Sequence, residues 1–319
     1  RSGADPYSVS CSASNENPRC YRNLRRIDSL RMDMLLAGYG IERLERKCGD
    51  IKMMLEETMY DWEACFYRML VRYWSGNVNA DAFAQLAQNL SYKKVIRCSD
   101  SLFRVEALLL GYSGLLSDLE EEDDYTIALR EEYEFQAAKF HLTAMQRSQW
   151  KYMRIRPTSF PTVRLALLAA LMMRFNFILS TVLETERLED IYKLLDVQAS
   201  KYWSTHYKPG VLATQQVKRL GNSMKTVIVI NAIVPFLFVY GKERKEERYC
   251  DKAVQWLEEL EAERNHVTET WTKQGVKLKS ALQSQALLQI KREYCDAHQC
   301  LHCRVGSEVF RSVAKESDV

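Results

Sequence analysis

The spacing of apolar positions predicts helices along most of the chain. From Ile41, apolar residues recur every three or four positions through Leu44, Cys48, Ile51, Leu55 and Met59, the period of one buried helical face. Asp61 stands where it can cap a second helix carrying Trp62, Phe66, Leu70 and Tyr73, which Ser75, Gly76 and Asn77 stop. Asn79 occupies the capping position for a third, across Phe83, Leu86, Ala87 and Leu90, and another runs from Leu102 through Leu110. Ala128 to Leu142 reads as helix. Thr162 to Leu183 reads as a strongly apolar central helix opened by Pro161, whose missing N–H costs nothing in a first turn. Glu186 to Tyr202, Cys250 to Glu263 and Lys277 to Tyr294 complete the series.

Two segments depart from this pattern. Residues 1–20 show no periodicity and read as a flexible leader or an expression remnant. The opening "RSGADPYSVSC" in place of Met points to a fragment or processed chain with an upstream region missing. The apolar run from Thr226 to Gly241 is shorter than the roughly 18 to 20 residues that cross a bilayer, and it contains Asn231 and Pro235. Its β-branched Val227, Ile228, Val229 and Ile230 fit strand or helix, and the helical flanks favour a buried helix. No repeat of fixed period is visible. The pattern predicts an all-α, irregular multi-helix bundle over residues 21–319, with a sub-domain break near residues 151–161.

Composition changes this picture little. The 319 residues are 47% apolar and 27% charged, ordinary globular values. Gly at 12 and Pro at 6 fall below the roughly 22 and 16 of average usage, which favours long helices over turn-rich sheets. A net charge of +3 implies no polyanionic partner by itself, so basic patches must be argued locally. Nine cysteines form an odd set without disulfide-framework spacing, and no signal peptide is present. Free thiols in a reducing cytoplasm, away from membranes, are therefore expected.

Chemistry concentrates in the stretch "YCDAHQCLHCRVG". Cys300 and Cys303 have the two-residue spacing that lets a tight turn present both sulfurs to one metal, and Cys295 supplies a third ligand. His298, His302 or Cys250 would complete a zinc set, and a fourth thiolate would equally suit an iron–sulfur cluster. The competing reading is three reduced thiols packed as small apolar groups. No GxSxG, HExxH, P-loop or GxGxxG occurs. Glu263 and His266 form one Glu-x-x-His where a di-iron bundle needs two. These absences lean against catalysis by this chain alone.

Other segments suggest binding. "RSQWKYMRIRP" interleaves Arg147, Lys151, Arg154 and Arg156 with Trp150 and Tyr152, the mixture of cations and ring faces that single-stranded nucleic acid needs. Arg19, Arg22, Arg25, Arg26 and Arg31 form a second basic run able to track phosphates. Against both stands ordinary packing, because Arg stems cover apolar surface and aromatics fill cores. Arg156 and Arg164 flank a helix start whose free N–H groups attract anions. "KYWSTHY" gathers Tyr202, Trp203, His206 and Tyr207, where His206 would serve as acid, base or ligand only beside a carboxylate. The five carboxylates of "LEEEDDY" read as a solvated loop.

Several stretches together carry a resemblance: "ERLERK", "DWEACFY", "VEALLLGYSGLL", "RIRPTSFPTVRLA", "YWSTHY", "INAIVPFLFVYGK", "SQALLQIKREYC" and "CLHCRVG". From about Leu35 to its end the chain resembles a bacterial family catalogued as domain of unknown function 2851, as its C-terminal helical portion. The resemblance implies a pattern Cys-x4-Cys-Leu-x-Cys-x-x-Gly, onto which Cys295, Cys300, Leu301, Cys303 and Gly306 fall, and which omits His298 and His302. It also implies that longer members carry an N-terminal region richer in strand, Asp, Glu and His, with metal-dependent hydrolase or nuclease chemistry one guess for it. The expectation is a cytoplasmic helical accessory or interaction module with a C-terminal zinc or iron–sulfur site and a protein or nucleic-acid partner. The alternative is a helical nucleic-acid-binding domain.

Overall fold

A computed structural model describes residues 19–175 and 177–317, so most of the expected leader lies outside the described residues. The helices are α1 (Ser29–Glu57), α2 (Trp62–Tyr73), α3 (Ala80–Asn89), α4 (Tyr92–Ile96), α5 (Leu102–Tyr112), α6 (Asp124–Phe140) and α7 (Pro161–Arg174). They continue as α8 (Ile178–Glu184), α9 (Leu188–Leu194), α10 (Asn222–Ile228), α11 (Val234–Arg244), α12 (Glu247–Glu259), α13 (His266–Lys273), α14 (Ala281–Gln289) and α15 (Arg304–Ser317). One short antiparallel hairpin, β1 (His206–Lys208) and β2 (Val211–Leu212), interrupts them. The fold is all-α, as the apolar spacing indicates.

The described residues form two compact units, a middle one of residues 48–253 and a terminal one that joins the residues up to 47 with those from 254 onward. Neither boundary falls within residues 151–161.

In the middle unit, α5 is the innermost helix, because every residue from Val105 to Tyr112 is buried, and α7 is nearly as apolar on all sides. Helix ends are closed by side chains acting on orphan backbone groups. Asp61 caps α2 through the Ala64 N–H at 3.1 Å, as the sequence indicates. Asp123 caps α6 reciprocally with Thr126, so α6 begins four residues before the expected Ala128. Glu63 accepts from the Leu179 and Ser180 N–H groups at the start of α8. At the other end of α8, the Lys252 ammonium donates to the Leu183 and Thr185 carbonyls at 3.1 and 2.9 Å.

Several expected elements differ. The apolar stretch from Thr162 to Leu183 is two helices, α7 and α8, parted after Arg174. Helix does not extend from Glu186 to Tyr202. It ends at Leu194, where Lys225 takes the Asp196 carboxylate at 2.8 Å and Gln198 bridges to Arg219. Asn79 does not cap α3 with its side chain. Instead its amide oxygen accepts from Lys151 N–H at 2.8 Å and its amide nitrogen donates to Lys151 O at 2.9 Å. The run around Thr226 is helical, but it belongs to a 23-residue stretch from Asn222 to Arg244, long and apolar enough to cross a membrane by length and composition. Of its apolar window 72% is buried within this unit, the pattern of a core helix. A π turn over Val229–Ile233 precedes Pro235, loosening the hydrogen-bond ladder where proline cannot donate.

In the terminal unit a 3₁₀ turn, Arg19–Arg26, packs with the first part of α1 and with α13, α14 and α15 around Tyr21, Leu36, Tyr39, Trp271, Leu287 and Val309. Trp271 donates its indole N–H to the Tyr21 hydroxyl at 2.8 Å, and their rings meet edge to face. A Cβ at Gly40 would lie 2.5 Å from Leu282 Cδ1, so glycine lets α1 and α14 approach closely. Helix α1 starts at Ser29, twelve residues before Ile41, where Asp28 accepts from the Leu30 and Arg31 N–H groups.

Candidate functional site

The terminal unit brings four cysteines together. Helix α14 relaxes into a π turn, Ile290–Cys295, which sets Cys295 at its end. A 3₁₀ turn, Cys300–His302, follows, and Cys303 precedes the first residue of α15. Cys303 acts as a capping residue, its Sγ accepting the Gly306 N–H at 3.5 Å. The Tyr39 hydroxyl donates to the same sulfur at 3.7 Å. A Cβ at Gly306 would stand 3.0 Å from Cys300 O, which accounts for glycine in that position.

The fourth thiol is Cys20, in the N-terminal 3₁₀ turn that packs beside α15. Cys20, Cys295 and Cys303 belong to one apolar cluster. Burial pushes the Cys20 thiol up to about 12, and the charges that Cys295, Cys303 and Cys300 would carry push it the same way. Burial and then the Cys303 and Cys300 sulfurs raise Cys295, also to about 12, although it shares a hydrogen bond with Tyr21. Among the described residues, no three His, Cys, Asp or Glu side chains converge as they would on a single metal ion.

A polar shell surrounds Cys303. Glu42 accepts from the Tyr294 hydroxyl at 2.8 Å, from Gln289 at 3.1 Å and from the Arg304 guanidinium at 2.9 Å. Arg304 lies over the Tyr39 ring, 4.4 Å from its centre, and its backbone N–H donates to the Tyr39 hydroxyl at 2.7 Å. The residues proposed from sequence as fourth ligands have other settings. His298 and His302 are exposed. Cys250 belongs to the middle unit, where its thiol donates to the Phe238 carbonyl. No metal-ligand spacing such as Cys-x-x-Cys marks Cys20, whose nearest cysteine in sequence is Cys11.

In the middle unit, His206 does meet a carboxylate. Its Nε2 is 3.7 Å from Asp123 Oδ2, while Nδ1 lies 3.0 Å from Tyr202 O and 3.1 Å from Thr205 Oγ1. The imidazole is buried and stacked on Tyr202, so both ring nitrogens serve contacts within the chain. Trp203 is buried beside it and donates to Glu106, a fully buried carboxyl that also accepts from Tyr125 at 2.5 Å and Ser200 at 3.2 Å. Burial raises the pKa of Glu106 despite these donors. Tyr207 stands outside this cluster, its hydroxyl donating to Gln216 at 2.6 Å.

The aromatic and basic stretch is less open than the nucleic-acid reading requires. Trp150 is buried, donates its indole N–H to Ser113 O at 2.7 Å and meets Phe83 edge to face, so it offers no ring to a base. Arg147 is spent on the Ser117 and Asp118 carbonyls at 2.7 and 2.8 Å. Lys151, Arg154 and Arg156 are exposed, whereas Arg164 is buried. The side chains of Arg19 and Arg22 lie outside the described residues, and Arg31 pairs with Glu308 at 3.2 Å. Glu263 precedes α13, which begins at His266, so the Glu-x-x-His pair does not share a helical face.

A family model described as a protein of unknown function (DUF2851) matches residues 6–266 of the 319, and the chain belongs to that family. The matched span includes Cys20 and Arg164 and stops before Cys295. No curated protein and no solved structure matches the chain.

Proposed function

From membership in a family whose description names no activity, we propose that this chain is a helical accessory module whose terminal unit is closed by a four-cysteine metal centre of Cys20, Cys295, Cys300 and Cys303. The observation that carries the reading is Cys20. A thiol far away in sequence packs in one apolar cluster with Cys295 and Cys303, and charge on Cys295, Cys303 or Cys300 would push its pKa up further than burial does by itself. A bound cation relieves that repulsion and deprotonates the thiols outright. Hydrogen bonds to Cys303 from Tyr39 and Gly306 are of the kind that tune cluster-bound sulfurs.

A zinc ion held by four thiolates and an iron–sulfur cluster held by the same four are the two forms such a centre takes, and we take the cluster as the form to test first.

The test is iron, zinc and acid-labile sulfide content, with visible absorption, of the full chain purified without oxygen. Stoichiometric iron and sulfide with broad visible absorption, lost in Cys20→Ser, is the expected result. Folded, metal-free protein, or full metal retention in Cys20→Ser, overturns the reading.

A further inference from the structure

Arg164 is a buried cation with no carboxylate paired to it among the described residues. It occupies the fourth position of α7 and is 7% exposed. Its Nη2 donates to the Ser159 hydroxyl at 3.1 Å, and its buried Nε has no hydrogen-bond partner. Burial alone lowers its pKa, to about 10, with no carboxylate acting against that effect, so it still carries its charge at neutral pH. Buried guanidinium groups are ordinarily paired, since leaving such a charge uncompensated is strongly unfavourable.

Its position compounds the problem. Side chains on a helix lean toward the N-terminus, and the bond to Ser159 shows that Arg164 does so, because Ser159 lies just before α7. The guanidinium therefore sits at the positive end of a 14-residue helix, where the dipole adds to its charge instead of offsetting it. The side chain of the cap residue, Phe160, has no acceptor to offer the Thr162 and Val163 N–H groups, while its carbonyl takes the Arg164 N–H at 3.0 Å. Two independent features, an uncapped helix start and an unpaired buried cation, thus call for negative charge at one place.

The loop entering α7 adds two more cations. Arg154 and Arg156 are exposed, and Arg154 holds a left-handed backbone, φ +61°. The loop is fixed at both ends, by the two-bond link between Asn79 and Lys151 and by the edge-to-face contact of Tyr152 with Phe160. The backbone from Arg156 to Phe160 is held by Ser159 N–H on Arg156 O and Phe160 N–H on Pro157 O.

We propose that the N-terminal end of α7 binds a phosphate group, with Arg164 as its buried cation and Arg154 and Arg156 on the approach. A phosphate suits the site better than a carboxylate, since its tetrahedral oxygens can take a guanidinium fork and helix N–H groups together. The phosphate is either a free ion or part of a nucleic-acid backbone, and the two share the same recognition chemistry. This site is independent of the cysteine centre.

The experiment is thermal unfolding of the full chain in inorganic phosphate and in chloride at matched ionic strength, for the unmodified protein and Arg164→Met. A saturable rise in Tm of several degrees with phosphate, absent in Arg164→Met, is expected. The variant should be at least as stable as the parent in chloride, because it no longer buries an uncompensated charge. Equal phosphate responses in the two proteins, or none in the parent, overturn the proposal. Should Arg164→Met fail to fold, Arg154→Ala with Arg156→Ala decides instead. Unchanged Tm in chloride with phosphate affinity weakened roughly tenfold supports the site, and unchanged affinity refutes it. A fluorescent single-stranded oligonucleotide displaced by phosphate would assign the site to a backbone phosphate. Phosphate binding without oligonucleotide binding would assign it to the free ion.

Discussion

Asp123 accepts the Tyr202 hydroxyl at 2.8 Å while its same oxygen faces His206 Nε2 at 3.7 Å. That carboxylate also caps α6, so one side chain from an acidic run ties a helix start to the segment that leads into the hairpin. At the hairpin turn, a Cβ on Gly210 would stand 2.0 Å from Glu121 O, and its φ of +75° suits glycine. The histidine–carboxylate pair is thereby committed to architecture.

Replacing Asp123 by Ala should destabilise the protein by roughly 1–3 kcal/mol, from the lost cap and the lost acceptor for the Tyr202 hydroxyl, which keeps only the Gly210 N–H. Burial acts to raise the Asp123 pKa, but the Thr126 N–H, Tyr202 and His206 hold it below the usual carboxylate range. Its contribution is therefore present above the ordinary Asp pKa and lost as pH falls through the lowered one. Urea melts at several pH values should show the gap between parent and variant closing in acid. A gap that stays constant would argue against this assignment.

Glu106 has the opposite sign. Its folded pKa is raised, by burial first, so the folded state holds the proton more tightly than the unfolded chain. Stability from this group is full below the ordinary Glu pKa and declines as pH rises through the raised value. Glu106→Gln, which cannot ionise, should gain on the parent in urea melts as pH rises above the ordinary Glu pKa toward the raised one. A gap independent of pH would show that Glu106 does not titrate abnormally.

Asn79→Ala removes both bonds to the Lys151 backbone and should cost roughly 1–2 kcal/mol. The loop carrying Lys151, Arg154 and Arg156 should then be cut faster by trypsin under native conditions. Unchanged cleavage kinetics would mean that other contacts hold this loop.

Lys252→Met leaves the carbonyls at the end of α8 without their ammonium donor, and Glu186 without its partner at 3.0 Å. A loss of roughly 2–3 kcal/mol is expected. Amide exchange in α8 should quicken more than in α5. Uniform change across both helices would indicate that the lysine does not act locally.

What the sequence determined by itself is the helical class, the Asp61 cap, the apolar segments that became α5, α7 and the stretch from Asn222 to Arg244, and the grouping of Cys295, Cys300 and Cys303. All of these are encoded within a few turns of chain, by burial period, capping chemistry or ligand spacing. Tertiary structure alone decided the partners. Cys20 joins the other thiols because its 3₁₀ turn packs beside α15. Trp150 turns inward because the Ser113 carbonyl and Phe83 receive it. Asn79 leaves the helix it begins because the Lys151 backbone offers both a donor and an acceptor. Arg164 is buried, with no carboxylate against it among the described residues, because the face of α7 that carries it is enclosed. Local pattern fixes which face of a helix leaves water. Which side chain it meets depends on packing between segments distant in sequence, and no periodicity records that.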